Sequence, residues 1–346
     1  MDTKIRRARE SAGRARRDRL ELQSAKRASL LPKTLLDGSP LILQGMHGLG
    51  DCLHQRAIVR QLAQRFDLWL ETSWPLVYWD IPGLKLLARG TRLRTQLKNA
   101  AREEKLFTRH PPPPWVPAIK VEYPPVYVRA FGSVLGAMCA RVGVPKEDFR
   151  LPLRPQWLEK ADKVLKGVTK PVMLFRPLVT RREWTGGQTR NPIPADYERL
   201  FHSIAPRFHV VSVADLEHDA EWLIGNRLTT DQKFHRGELD AETLFGIAAR
   251  SALIFGAPGF QTVLGQAIGT PGVTVFGGYE DASSFSAGAS YAPWLAIEPE
   301  TPCPCWRHDH ECPKDIDIAK ATERLKEFTD AVLSARAEAG RVAAVA

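Results

Sequence analysis

Residues 41–51 read Leu41-Ile-Leu-Gln44, then Gly45-Met-His-Gly-Leu-Gly50, then Asp51. Beyond the acid, Leu53, Ala57, Ile58 and Leu62 recur at helical spacing, and a second apolar run, Leu68-Trp-Leu70, comes after them. The order predicts strand, loop, helix and strand, with the loop at the carboxyl end of the first strand. Glycines at 45, 48 and 50 let the backbone turn tightly, and the next helix directs its unpaired N–H groups toward the same point. The spacing G-x-x-G-x-G differs from the G-x-G-x-x-G of dinucleotide-binding loops. Asp51 is either a first-turn acid favoured by the helix dipole or a general base facing a cleft.

The second half of the chain is more regular. Residues 172–175, 208–213, 252–255 and 272–276 read as buried strands, with helical patterns at about 195–205, 216–224, 240–250 and 260–268. Asp240 is placed to cap the helix that buries Leu244, Ile247 and Ala248. Alternation of this kind predicts parallel strands with crossover helices, an α/β architecture. Two such units joined near 152–170 predict paired Rossmann-like domains facing a cleft. Residues 75–150 are less regular; they hold the stiff run Pro111–Pro114 and a predicted helix near 127–141.

The chain has 346 residues, 44% of them hydrophobic, enough for two domains with sizeable cores. No stretch has the roughly 18 unbroken apolar residues of a membrane-spanning helix. The basic N-terminus lacks the apolar run of a signal peptide. Five cysteines in this length make no disulfide framework, so a reducing cytoplasm is expected. The net charge of +10 is uneven: residues 1–34 hold 11 Lys or Arg against 4 Asp or Glu, leaving +3 for the other 312 residues. The basicity belongs to an arm. It is a solvated tail, a phosphate-neutralising nucleic-acid arm, or a helix resting on an anionic membrane at the inner face.

Two further segments can carry chemistry. Arg176-Pro-Leu-Val-Thr-Arg-Arg-Glu-Trp184 comes directly after a buried strand, and with Arg190 it gathers the guanidinium groups of Arg176, Arg181 and Arg182 and the hydroxyl of Thr180 at a strand's carboxyl end. Arginine's fork suits phosphate oxygens. In Ile254-Phe-Gly-Ala-Pro-Gly-Phe-Gln-Thr262 a strand ends, a Gly/Pro turn intervenes and a helix begins with its amides exposed, a ready site for a diphosphate.

Together with the C-terminal cysteines, these segments resemble the family-nine glycosyltransferases, best known from the ADP-heptose:lipopolysaccharide heptosyltransferases. Gly48-Leu-Gly-Asp-Cys-Leu-His54 is similar to the family's N-terminal glycine–aspartate motif. Residues 240–271 are similar to its helix, strand and diphosphate turn, and Cys303-Pro-Cys305 with Cys312-Pro313 to a Cys-rich segment near its C-terminus. The resemblance spans roughly residues 40–330.

Outside the basic arm (1–34), it implies a GT-B fold: an acceptor-binding Rossmann-like domain (35–165), a nucleotide-sugar-binding one (166–315), and a helix with tail (316–346) that crosses back. It implies an inverting transferase with Asp51 as general base and His47, Gly48, Gly50 and His54 on the acceptor side. Arg176, Thr180, Arg181, Arg190 and the turn Gly256, Pro258, Gly259, Phe260, Gln261 and Thr262 would hold the donor, with Glu217 on its ribose. No cofactor or metal is implied, because fixed amides and basic side chains stabilise the leaving diphosphate.

The departures matter too. Family members carry Asp-Ser/Thr-Gly and then His-Leu-Ala at the diphosphate turn, where this chain has Ala257-Pro-Gly-Phe260 and Gln-Thr-Val-Leu264. Acid and histidine are both absent, which points to a different sugar or nucleotide. Cys303, Cys305, His308, His310 and Cys312 lie within ten residues, and four of them could surround zinc. Their C-x-C-x6-C spacing is not a standard zinc pattern, and a packed structural cluster is the simpler reading. The acceptor expected from the family is a lipopolysaccharide-type glycan. The alternatives are a phage-type transferase acting on modified DNA bases and an inactive GT-B scaffold.

Overall fold

The computed structural model describes residues 35–91, 93–182, 190–218, 220–285, 292–306 and 311–345, together with Arg16, Arg19, Leu20, Gln23 and Leu31. The basic arm therefore lies almost wholly outside the described residues, as does His308.

Two parallel sheets organise the chain. The first has the order β3-β2-β1-β4, built from β1 (Pro40–Gln44), β2 (Asp67–Thr72), β3 (Lys85–Ala88) and β4 (Ala118–Lys120). Helix α1 (Leu49–Arg65) makes the β1-to-β2 crossover, and Leu41 pairs with Leu68. The second sheet contains β5 (Val172–Phe175), β7 (His209–Val213), β9 (Gln232–Phe234), β10 (Leu253–Gly256), β11 (Gly272–Val275) and β12 (Trp294–Ile297), in the order β12-β11-β10-β5-β7-β9. Every residue of β5, β10 and β11 is buried, as expected of parallel strands covered on both faces. The two-domain α/β architecture expected from the sequence is the one observed.

Helices fill the crossovers. In the first half these are α2 (Arg94–Arg102), α3 (Pro125–Phe131) and α4 (Val134–Val142). The single helix expected near 127–141 is broken at Gly132, whose φ of 72° only glycine adopts freely, and Ser133 restarts it by accepting from the Gly136 amide at 3.0 Å. Then come α5 (Pro155–Val164), α6 (Pro194–Ile204), α7 (Ala241–Arg250), α8 (Phe260–Ile268), the short α9 (Ala282–Phe285) and α10 (Ile318–Val345). Asp240 caps α7 as expected, its Oδ1 accepting from the Thr243 amide at 2.7 Å.

The helical pattern at 216–224 is not a helix. Instead β6 (Val179–Arg181) pairs antiparallel with β8 (Glu221–Leu223). This register sets Arg181 opposite Glu221, and their ion pair of 2.8 Å outweighs the helical spacing of the apolar residues. The resemblance implied a final helix crossing back to the first domain; α10 packs here on α6 and β12 of the second. No helix among the described residues is long and apolar enough to cross a membrane.

The two halves share a core. Helix α1 is buried nearly all round because it lies between the first sheet and α8 of the second domain. At the closest point a Cβ on Gly50 would meet the Phe260 Cα at 3.2 Å. Likewise α5 lies on α7, where a side chain on Gly246 would collide with the Trp157 carbonyl. Gly246→Ala should therefore push α5 and α7 apart and cost about 1–3 kcal/mol, read as a lower urea midpoint. An unchanged midpoint would show that this contact yields freely.

Candidate active site

The cleft between the two sheets collects residues from the carboxyl ends of strands, as open α/β sheets do. It encloses a cavity of about 300 Å³. From the first domain come Gly48, Gly50, Asp51 and His54 after β1, and Tyr123 after β4. The second domain contributes Arg176 after β5, Asp215 after β7, Pro258 to Gln261 after β10 and Glu280 after β11.

Asp51 sits in the first turn of α1, whose N-cap Gly48 provides no side-chain cap. A Cβ at Gly48 would lie 2.7 Å from Asp51 Oδ2, so glycine makes room for the carboxylate. The Tyr123 hydroxyl donates to Asp51 Oδ1 at 3.0 Å. Burial pushes the Asp51 pKa up to about 6, against the opposing pull of the Tyr123 hydrogen bond and the Arg190 charge.

The other buried acids in the cleft or behind its arginines are matched by cations. Glu280, almost fully buried, takes Arg190 in a two-point pair of 2.7 and 3.1 Å. Glu221 receives Arg181 at 2.8 Å and Arg176 at 3.4 Å, and the Arg176 guanidinium also lies over the Phe260 ring, 5.1 Å from its centroid. Asp215, also buried, accepts Arg94 at 2.8 Å and Lys98 at 3.1 Å, and Thr95 donates to it as well. All three of those donors stand on α2 of the first domain. One turn further on, Arg102 reaches the Leu239 and Gly237 carbonyls, each at 2.9 Å. Helix α2 thus clamps the second domain at the mouth of the cleft.

The structure brings together most, not all, of the residues singled out from sequence. Arg176, Arg181, Arg190, Pro258, Gly259, Phe260 and Gln261 line the cleft. Gln261 is buried, with its amide nitrogen closing the turn on the Ala257 carbonyl. Thr262 instead bonds Thr274 inside the core at 2.9 Å, Thr180 is buried in β6, and Gly256 ends β10. His47 lies outside the lining, its carbonyl taking the Trp74 indole N–H at 3.0 Å. Glu217, also outside the lining, forms an ion pair with Arg94.

Tyr123, Glu280, Asp215 and the cations of α2 join the site without having been marked by the sequence reading. The first three stand shortly past the carboxyl ends of β4, β11 and β7, the positions where a parallel sheet presents side chains to a cleft. Helix α2 carries no such signal.

The sulfurs of Cys303, Cys305 and Cys312 lie within 4.8 Å of one another, with Cys305 and Cys312 at 3.4 Å. Sulfur donors in this arrangement suit a thiophilic ion. Between them in sequence, Trp306 takes a φ of 57°, the one positive value at a described non-glycine residue. It packs edge-on against Tyr123 at 6.2 Å and against Tyr279 at 5.6 Å.

Two Rossmann-like units with a charged cleft at the carboxyl ends of their strands define a GT-B-type protein. Solved structures agree. The iron-containing dodecameric glycosyltransferase TibC of enterotoxigenic E. coli is similar over 88% of this chain and 81% of its own, at 16% identity and a TM-score of 0.55. The TibC complex with ADP-D-beta-D-heptose gives 0.53 at 16% identity, over 90% and 79%. The E. coli ADP-heptose lipopolysaccharide heptosyltransferase II gives 0.51 at 12% identity, over 84% and 98%. No protein-family model matches the chain, and no curated protein matches it in sequence. The chain has the fold of the heptosyltransferases, in line with the family-nine resemblance of its motifs.

The raised pKa of Asp51 has a consequence for stability. Above pH 6 the folded state holds a charge that the unfolded chain, with an Asp near 3.8, solvates better. This cost is small near pH 4, grows up to about 6, and is complete above. Asp51→Asn should stabilise the fold at pH 8 by at most about 3 kcal/mol, read as a higher thermal midpoint, and raise the midpoint far less at pH 4. A gain equal at both pH values would contradict the raised pKa.

Proposed function

We propose that the protein is an inverting glycosyltransferase that uses a nucleotide-sugar donor, with Asp51 as general base. The observation that carries this reading is the Asp51 carboxyl, held by a neutral phenol at the floor of an interdomain cleft whose other side is lined by arginines and a helix N-terminus. With a pKa of about 6 it is mostly ionised at neutral pH, yet basic enough to take a hydroxyl proton as the bond forms.

The acceptor oxygen attacks the anomeric carbon from the face opposite the leaving group, so the configuration inverts. Charge building on the departing diphosphate is met by Arg176, Arg181 and the amides that open α8 at Phe260. Arg190, fixed by Glu280, adds positive potential between donor and base. Glu217 would reach a ribose only after releasing Arg94. Cys303, Cys305 and Cys312 would hold a thiophilic ion if the chain binds one; it would brace their turn. The acceptor we propose is a lipopolysaccharide-type glycan, at the cytoplasmic face of the membrane.

The test is nucleotide release from ADP-heptose in the presence of heptose-deficient lipopolysaccharide, with UDP-, GDP- and dTDP-sugars in parallel. Asp51→Asn should lower turnover by about 10²–10⁴-fold and leave donor affinity within about twofold. Undiminished turnover in that variant would remove Asp51 as the base. Failure of every donor to bind or turn over in a folded sample would favour a scaffold.

A further inference from the structure

The Tyr123 hydroxyl is within hydrogen-bonding distance of one oxygen of Asp51, and the Tyr123 ring is in turn walled by Trp306, a residue with costly backbone geometry. We infer that Tyr123 is the positioning residue for Asp51, and that Trp306 holds Tyr123 in place. The inference rests on the reading of Asp51 as the base.

The geometry is directional. The phenol donates to Oδ1, and among the described residues no hydrogen bond reaches Oδ2. One oxygen is thereby anchored, the carboxylate plane is set, and the other oxygen is left for an acceptor hydroxyl. Tyr123 stands three residues beyond the end of β4, so the anchor comes from a different strand than the base. Among the described residues, the groups facing Asp51 are Tyr123, the Arg190–Glu280 pair from the second domain, and Cys52 beside it on α1. Of these, Tyr123 alone donates a hydrogen bond to the carboxylate among the described residues. A donor to the ionised form favours that form, so Tyr123 works against the burial that would otherwise keep Asp51 protonated.

Trp306 supplies the wall. Its ring meets Tyr123 edge-on at an interplanar angle of 77° and tilts on Tyr279 from the second domain, and its amide donates to the Tyr279 carbonyl at 3.3 Å. A tryptophan in the left-handed region is strained and persists only where its surroundings impose it. Here the cysteine turn holds that backbone and directs the indole into the cleft. Tyr123 is thus fixed at both ends, by Asp51 at its hydroxyl and by Trp306 at its ring.

The experiment titrates Asp51 in the full chain labelled with ¹³C at the Asp side-chain carboxyls, Asp51→Asn identifying the resonance, so that no substrate is needed. Tyr123→Phe keeps the ring and removes the donor. The Asp51 midpoint should rise by about one pH unit, and the acid limb of kcat/KM should move with it while the donor KM stays put. Trp306→Ala should move the midpoint the same way by a smaller amount, and Trp306→Phe should largely restore it.

An unmoved midpoint in folded Tyr123→Phe overturns the positioning role, and an unmoved one in Trp306→Ala overturns the wall. The two readings fail separately. Full turnover in Asp51→Asn removes the base itself. An inactive Asp51→Asn beside a Tyr123→Phe that changes neither midpoint nor rate removes only Tyr123.

Discussion

Everything in the cleft depends on how closely α1 and α8 approach. The helices come from different domains, and each begins just after a strand of its own sheet. Gly50 leaves no side chain between them, so the first turn of α1 touches the backbone of Phe260 at the start of α8. Two helix N-termini, each with unpaired amides, therefore open into one space. Helix packing rather than loop conformation fixes where Asp51 lies relative to the turn after β10. Arg56, buried in the middle of α1, secures the other end of this arrangement with a two-point pair to Asp80 at 2.8 and 2.9 Å and a bond to the Arg150 carbonyl at 2.8 Å. A buried guanidinium without such partners would be strongly destabilising.

The distribution of charge obeys the same constraint. Burying acids at a domain junction is tolerable only when each is paired. Glu280, Glu221 and Asp215 all have arginine partners, and those of Asp215 come from the opposite domain. Asp51 is the exception among the described cleft acids, for it is given a phenol in place of a cation. An arginine in that position would have pulled its pKa far down. Burial raises the value, the phenol and the more distant Arg190 offset it only in part, and the difference is a cost to stability.

Much of this was legible in the sequence, for identifiable reasons. Buried parallel strands read as unbroken apolar runs, so β5, β10 and β11 were plain, and the Gly-rich loop before α1 marked Asp51 directly. The β6–β8 pair was missed because its register is set by Arg181 facing Glu221, a contact between residues far apart in sequence. β9 has only three residues, none of them buried, and β12 is buried at alternate positions only, so neither stands out as a buried run. Tyr123 and Glu280 each sit past the end of a strand, one of them only three residues long, and nothing local distinguishes them from other polar residues. Trp306 is beyond any pattern, since its role comes from an unusual φ and from two tyrosines distant in the chain.

The turn after β10 departs from the pattern of the family that the motifs resemble, and a helix still opens from it. The acid and histidine of that pattern are absent, and α8 starts at Phe260, directly after the turn. Gln261 closes the turn by bonding the Ala257 carbonyl, and Phe260 offers its ring to the Arg176 guanidinium. Backbone amides and arginines, the groups suited to a diphosphate, are thus kept, while an acid and a histidine able to accept from or donate to a sugar are removed. Anion binding by amides tolerates such changes because it depends on the direction of the backbone. Selection among sugars depends on individual side-chain donors and acceptors, and unpaired ones discriminate strongly. On the proposed reading, these differences bear on the choice of sugar more than on the holding of a diphosphate.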